Sequence, residues 1–195
     1  MLKYGPFKDV PSLSFERIFI HYKHNVPLPI FTEVKRTFEI SHWGNIQVDE
    51  YYNVFNEAAG LKGEFGRVDY QHWNPNIATY ALKSMETDLP RYIRGLYYWD
   101  FIGNISSSNA HRDVDKVKFQ MSPRFPIFGQ WKTDWSQGYS MPTRYHLFSE
   151  ADRPHRYIFN TTFLHDFNNF LAENFTIKVI LPEGATNIKV LSLFC

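Results

Sequence analysis

Eight histidines, one Asp-x-Asp pair, three spaced glycines and three Asn-x-Ser/Thr triplets are the residues of this 195-residue chain whose types and spacing could do chemistry. His21 and His24 are the nearest histidine pair. On the strand expected there, side chains three apart face opposite sides, and neither a cysteine nor a second histidine pair completes a tetrahedral site, so no metal is expected. Asp113-Val114-Asp115 could hold a divalent cation and a sugar nucleotide through hard oxygen ligands. It lacks a nucleotide-binding α/β pattern upstream and reads as a solvated turn. Gly60, Gly63 and Gly66 have neither the preceding strand nor the following helix of a phosphate cradle, and they too read as a turn. No Gly-x-Ser-x-Gly elbow, His-Glu-x-x-His helix or Walker-type loop occurs. Paired carboxylates for glycoside hydrolysis depend on a separation that only the fold fixes. The triplets at Asn104, Asn160 and Asn174 can accept an N-linked glycan in the secretory pathway. Of these, Asn104 has the best context, between Gly103 and a serine-rich stretch. Neither catalytic residues nor a cofactor is expected.

The elements that must position these residues are mostly strands. Arg17–Tyr22 and Val34–Ile40 alternate at period two, and β-branched and aromatic residues mark Ile46–Tyr52, Ala78–Ser84, Leu96–Ile102, Val114–Met121, Tyr157–Phe163 and Phe175–Leu181. In Val114–Met121 the residues Val117, Phe119 and Met121 face one side, as in an antiparallel strand with one buried face. Only His165–Glu173 reads as a helix, with Phe167, Phe170 and Leu171 on one face. The expected fold class is therefore mainly β, an antiparallel sandwich with one short helix. The composition fits a folded core, with 44% hydrophobic and 21% charged residues. Aromatic content is high, at 18 Phe, 12 Tyr and 5 Trp. A net charge of +1 argues against a nucleic-acid surface. The single cysteine, Cys195, makes no intrachain bridge. No apolar stretch reaches signal-peptide or membrane-spanning length, so the chain as it stands is expected to be neither exported nor membrane-spanning.

Six blocks carry a resemblance. They are Tyr4–Pro11, Phe38–Ile46, Leu61–Gln71, Ile102–Ser106, Pro123–Thr133 and Val179–Ile188. In that order they resemble the ribophorin I family, subunit 1 of the oligosaccharyltransferase complex of the endoplasmic reticulum. The resemblance implies a non-catalytic accessory subunit. Its partners would be the other subunits, including the catalytic one that transfers a high-mannose oligosaccharide from dolichol pyrophosphate to asparagine, together with nascent polypeptide. It implies a lumenal location, with membrane attachment only through parts of the longer protein. Asn104 matches the family's glycosylated position, whereas Asn160 and Asn174 do not.

The Pro27-Leu28-Pro29 segment disfavours continuous pairing and suggests a boundary near residue 30. Residues 1–32 are then the closing segment of a preceding lumenal domain, 33–189 a second lumenal β domain, and 190–195 a divergent tail. His42, Trp43, Phe125, Phe128 and Trp131 have two readings. They form a contact surface for a sugar or an extended peptide, or they are core and loop-anchoring rings. A functional alternative from another class is a free-standing carbohydrate-binding β-sandwich.

Overall fold

Strands form where one residue in two is buried. The computed structural model describes residues 3–15, 17–20, 26–72, 80–150, 153, 155–165, 167 and 170–191. Within them, β1 (Pro29–Ile40) and β2 (Asn45–Asn56) make a long antiparallel hairpin. In β2 every second side chain from Ile46 to Asn56 is buried. β1 buries Val34, Arg36, Phe38 and Ile40, but also Phe31, which is out of phase with them. A register shift between Phe31 and Glu33 accounts for this, because a bulge adds one residue and turns Phe31 back to the core.

The remaining elements are α1 (Arg67–His72), β3 (Met85–Pro90), β4 (Arg94–Asp100), β5 (Gly103–Asn104), β6 (Asn109–Arg112), β7 (Lys116–Met121), β8 (Lys132–Pro142), β9 (Leu147–Ser149), β10 (Tyr157–Phe159), β11 (Leu171–Ala172) and β12 (Phe175–Ile180). The main sheet has the order β11-β1-β2-β8-β4-β5, with β12 also on β1. Most pairs are antiparallel, as expected. The last two strands depart from this: β11 and β12 run parallel to β1, with Val34 opposite Phe175 and Glu39 opposite Ile180. A parallel return needs a crossover, and here the crossover is nearly the whole intervening chain.

A second sheet, β3-β7-β6, lies over the first. Its buried residues Met85, Leu89, Val117, Phe119 and Met121 share one core with Val34, Phe38, Trp135, Tyr139 and Met141. Val117, Phe119 and Met121 thus face inward together, as their alternation predicts. Aromatic rings join the layers: Tyr98 meets Phe119 at 6.1 Å and Trp135 at 6.4 Å, while Tyr52 stacks on Trp135 at 5.3 Å.

Charge also enters this core. Arg36 and Glu50, each 2% exposed, pair at 2.7 Å through Nε and Oε1. Glu50 Oε2 accepts from Tyr52 Oη and from Gln137 Nε2, and Trp135 Nε1 donates to Gln137 Oε1. The guanidinium also donates to the backbone carbonyls of Thr162 and Leu164. A buried ion pair stays ionised only when its other hydrogen-bonding positions are filled in this way.

Several expected elements are corrected. His165–Glu173 is not a helix in its described residues: Phe167 bridges to Thr87 and Leu171–Ala172 are β11. Phe167 and Phe170 pack on Phe31 at 5.3 and 4.7 Å although neither is helical, and a nine-residue apolar pattern cannot distinguish this from a helix face. The helix is α1, directly after Gly66, so the glycine series does precede a helix, though one of only six residues. Arg17–Ile20 are exposed and outside any strand, because their alternation finds no partner among the described residues. His21, Tyr22 and His24 lie outside the described residues, as does Cys195. Of Ala78–Ser84, the described part holds only a bridge from Leu82 to Ile127. Strand β8, central to the main sheet, was not among the expected strands.

Candidate functional site

The Asn104 hairpin is built by a carboxylate. Asp100, the last residue of β4, accepts hydrogen bonds at Oδ1 from the backbone N–H of Ile102 and of Gly103, at 3.0 and 3.1 Å. An aspartate that binds amides two and three residues on turns the chain, and Gly103, with φ of 137°, takes the backbone conformation that a side chain would resist. Arg124 clamps the turn from the Ser122–Pro126 connection. Its Nε donates to Asp100 Oδ2 at 2.6 Å, and its Nη2 donates to Asp100 Oδ1 and to the carbonyls of Gly103 and Asn104. The Arg124 guanidinium beside Asp100, helped by the two amides, holds this carboxyl below the ordinary carboxylate value. Its negative charge is thereby secured where the fold uses it.

Asn104 emerges from this brace with its side chain exposed and without a hydrogen bond among the described residues. Asn174 differs, because its Nδ2 donates to the Thr32 carbonyl at 3.0 Å and is committed to holding β1. Asn160 is exposed, and its backbone is tied to His146 through Asn160 N–H on the His146 carbonyl. Asn104 and Asn160 thus both combine a fixed backbone with an exposed amide, whereas the amide of Asn174 is engaged.

The aromatic residues singled out by sequence do not gather in one place. His42 and Trp43 form the tip of the β1–β2 hairpin, and Trp43 is 95% exposed. Phe125, Phe128 and Trp131 lie beyond the opposite end of β2, where Trp131 O accepts from Asn56 N. The twelve residues of β2 separate the two groups by roughly 35 Å. Phe128 is 3% exposed and surrounded by Phe65, Tyr70, Tyr80 and Trp131, with centroids 5.3 to 6.0 Å away. It anchors a small second core and has no face left for a ligand. Phe125 and Trp131 are half-buried against each other at 6.0 Å.

Two residues not read as important hold this corner. Asn56 is fully buried. Its Oδ1 accepts from Leu28 N and Ala58 N, and its Nδ2 donates to the carbonyls of Tyr80 and Ile127. A Cβ on Gly129 would lie 2.0 Å from Ala59 O, so only glycine allows this approach. Neither residue carries a local sequence signal, since both roles are set by segments distant in the chain. The Asp100–Arg124 brace was missed for the same reason.

Among the described residues there is no cluster of three His, Cys, Asp or Glu side chains able to bind a metal. Asp113 and Asp115 lie in the turn between β6 and β7, where Asp113 N–H closes on the Lys116 carbonyl at 2.8 Å. Two shallow concavities flank Arg94, one lined by Ile93, Leu96, Ala110 and Arg112, the other by Asn45, Ser140, Met141 and Arg144. No acid or histidine lines either one. Among the described residues, no helix is long and apolar enough to cross a membrane.

The sequence matches the profile of ribophorin I over residues 1–194. It is 39% identical over 188 residues to dolichyl-diphosphooligosaccharide–protein glycosyltransferase subunit 1 of Caenorhabditis elegans, covering 96% of this chain and 32% of the relative. It is 39% identical over 194 residues to subunit 1A of Arabidopsis thaliana, covering 99% and 31%. Subunit 1B of Oryza sativa subsp. japonica is also 39% identical, over 187 residues, 95% of this chain and 39% of the relative. The chain therefore spans about a third of the length of the curated relatives it matches.

Proposed function

The chain belongs to the ribophorin I family, and from that premise we propose that it serves as a non-catalytic lumenal segment of subunit 1 of the dolichyl-diphosphooligosaccharide–protein glycosyltransferase. The observation that carries this reading is the similarity to subunit 1 proteins over nearly the whole chain. In this role the sandwich is a rigid shape that other subunits grip, the catalytic one among them, while the transfer to nascent polypeptide happens elsewhere. The location is the lumenal side of the endoplasmic reticulum, with membrane attachment through other segments of the longer protein.

β1 begins at Pro29 and Phe31 is buried in the core, so residues 29–32 go with the β domain and not with the preceding segment, and the boundary of this reading falls ahead of Pro29. Residues ahead of it carry Tyr4, Phe7, Leu13, Phe15 and Phe19, all strongly exposed. Five rings and aliphatics left in water are what a segment that closes a neighbouring lumenal domain would carry. His42 and Trp43 at the hairpin tip, with Phe125 and Trp131 at the other end, are the ring-bearing sites offered for subunit or nascent-chain contact.

Asn104 is assigned as a glycan acceptor. In that reaction Nδ2 bonds to the anomeric carbon of the lipid-linked donor's first sugar. The bond from that carbon to the diphosphate breaks, the diphosphate leaves with the electron pair, and the amide gives up one proton. Two measurements test the functional reading. The purified chain, incubated with lipid-diphosphate oligosaccharide and an acceptor peptide, should transfer nothing, and cells depleted of the full-length product should underglycosylate their secreted proteins. Turnover by the isolated chain, or normal glycosylation after depletion, overturns it.

A further inference from the structure

Asn104 pairs directly with Trp99 across the β4–β5 hairpin, and Asp100 pairs with Gly103. The ladder continues one step further, where Ile105 N–H donates to the Tyr98 carbonyl at 3.0 Å. Direct partners in an antiparallel pair project on the same face, with Cβ atoms about 4.5–5.5 Å apart. Burial confirms the facing: Tyr98 and Ile105 are 2% and 6% exposed and point to the core, so Trp99 and Asn104 point outward together. Trp99 is 46% exposed, and the turn residues Phe101 and Ile102 are more exposed still. On the same face, Tyr97 fills the space above Gly138 and donates its hydroxyl to Asp49. Trp99 is thus left as the open ring beside the acceptor amide.

We infer that Trp99, flanked by Phe101, is the seat of the first sugar of the glycan on Asn104. The inference rests on the assignment of Asn104 as an acceptor. The occupant is fixed by covalent reach, since a sugar bonded to Asn104 Nδ2 starts within one residue width of the indole. An N-acetylhexosamine has one face of C–H groups, which an aromatic face accepts with large contact area and little loss of side-chain entropy. The brace between Asp100 and Arg124 adds the second requirement. It fixes the hairpin independently of the sugar, so stacking need not order the turn. The glycan thereby covers an apolar patch that the hairpin otherwise leaves in water.

The test uses the full chain, secreted from a eukaryotic host behind an added signal sequence and trimmed with an endoglycosidase to a single N-acetylglucosamine. Mass spectrometry first reports occupancy of Asn104. The trimmed wild type should melt roughly 2–4 °C above Asn104→Gln. Trp99→Ala should remove most of that gap, and Trp99→Phe should restore part of it. Proton NMR of the trimmed wild type should show sugar ring protons shifted upfield by the indole. That signal decides the matter even where the alanine variant folds poorly. Sugar protons at their free positions, or an equal melting gap in the presence and absence of Trp99, overturn the inference and leave the acceptor assignment standing. An unmodified Asn104 in secreted protein overturns both.

Discussion

Glu50 and Arg36 show how much a single side chain carries in this fold. Both are sealed in the core, and each satisfies the other's charge together with Tyr52, Gln137 and two loop carbonyls. Glu50→Gln leaves the guanidinium buried without a counter-charge, so urea denaturation should register a loss of about 3–5 kcal/mol. Arg36→Met with Glu50→Leu should lose much less, because neither charge then remains. Asp100 gives a pH signature. Its carboxyl titrates lower in the folded protein than in the unfolded chain, held down first by Arg124 and then by the Gly103 and Ile102 amides. Its contribution to stability is therefore complete above the ordinary value of 3.8 and is lost as pH falls through the lower folded value. The difference in urea midpoint between wild type and Asp100→Asn should hold steady from about pH 7 to pH 5 and shrink below about pH 4. A difference that grows on acidification contradicts the brace. At this scale the sequence was partly legible. Asn104 stood out through its triplet and its glycine neighbour. Arg36 sits in phase with Val34, Phe38 and Ile40, so its burial was written in the alternation, but its partner fourteen residues away was not.

Elements are held by close approaches that pattern alone does not reveal. In β8, a Cβ on Gly138 would lie 2.6 Å from the Val48 carbonyl and closer still to the Tyr97 ring. Gly138→Ala should therefore cost about 1–3 kcal/mol and displace Tyr97, read as a lower melting temperature and a changed near-ultraviolet circular dichroism spectrum. Phe128→Ala should cost about 3–5 kcal/mol, since it empties the centre of the small second core. Trp131→Ala should cost less, because that ring is only half-buried. The reverse order would mean that Trp131, not Phe128, anchors the corner. β7, with a clean apolar stripe, was readable, and so was β2 through Ile46, Val48 and Tyr52, although Glu50 and Asn56 also lie in its buried set. β8 was not, because its inward set of Trp135, Gln137, Tyr139 and Met141 includes a glutamine that is apolar only in position, and its outward set is serine, aspartate and glycine. The segment after His165 misled in the opposite way. Its aromatic spacing suits a helix, yet Phe167 and Phe170 pack on Phe31 without being helical.

At the scale of the whole molecule, two layers of strands enclose an aromatic core, and exposed rings lie ahead of β1, at the β1–β2 tip, on the β4–β5 hairpin and around β9 and β10. The mainly β class was legible because alternation recurs along the chain, whereas the parallel return of β12 was not, since strand direction depends on the path of everything between. Family membership was legible too, through six ordered blocks rather than any catalytic motif. Membership of the ribophorin I family is what the scaffold reading rests on. The most direct measurement is affinity capture of the tagged full-length gene product from mild detergent, with quantitative mass spectrometry of what accompanies it. A scaffold role predicts the other glycosyltransferase subunits, including the catalytic one, at near-equal stoichiometry. Recovery of the protein without those subunits would contradict it.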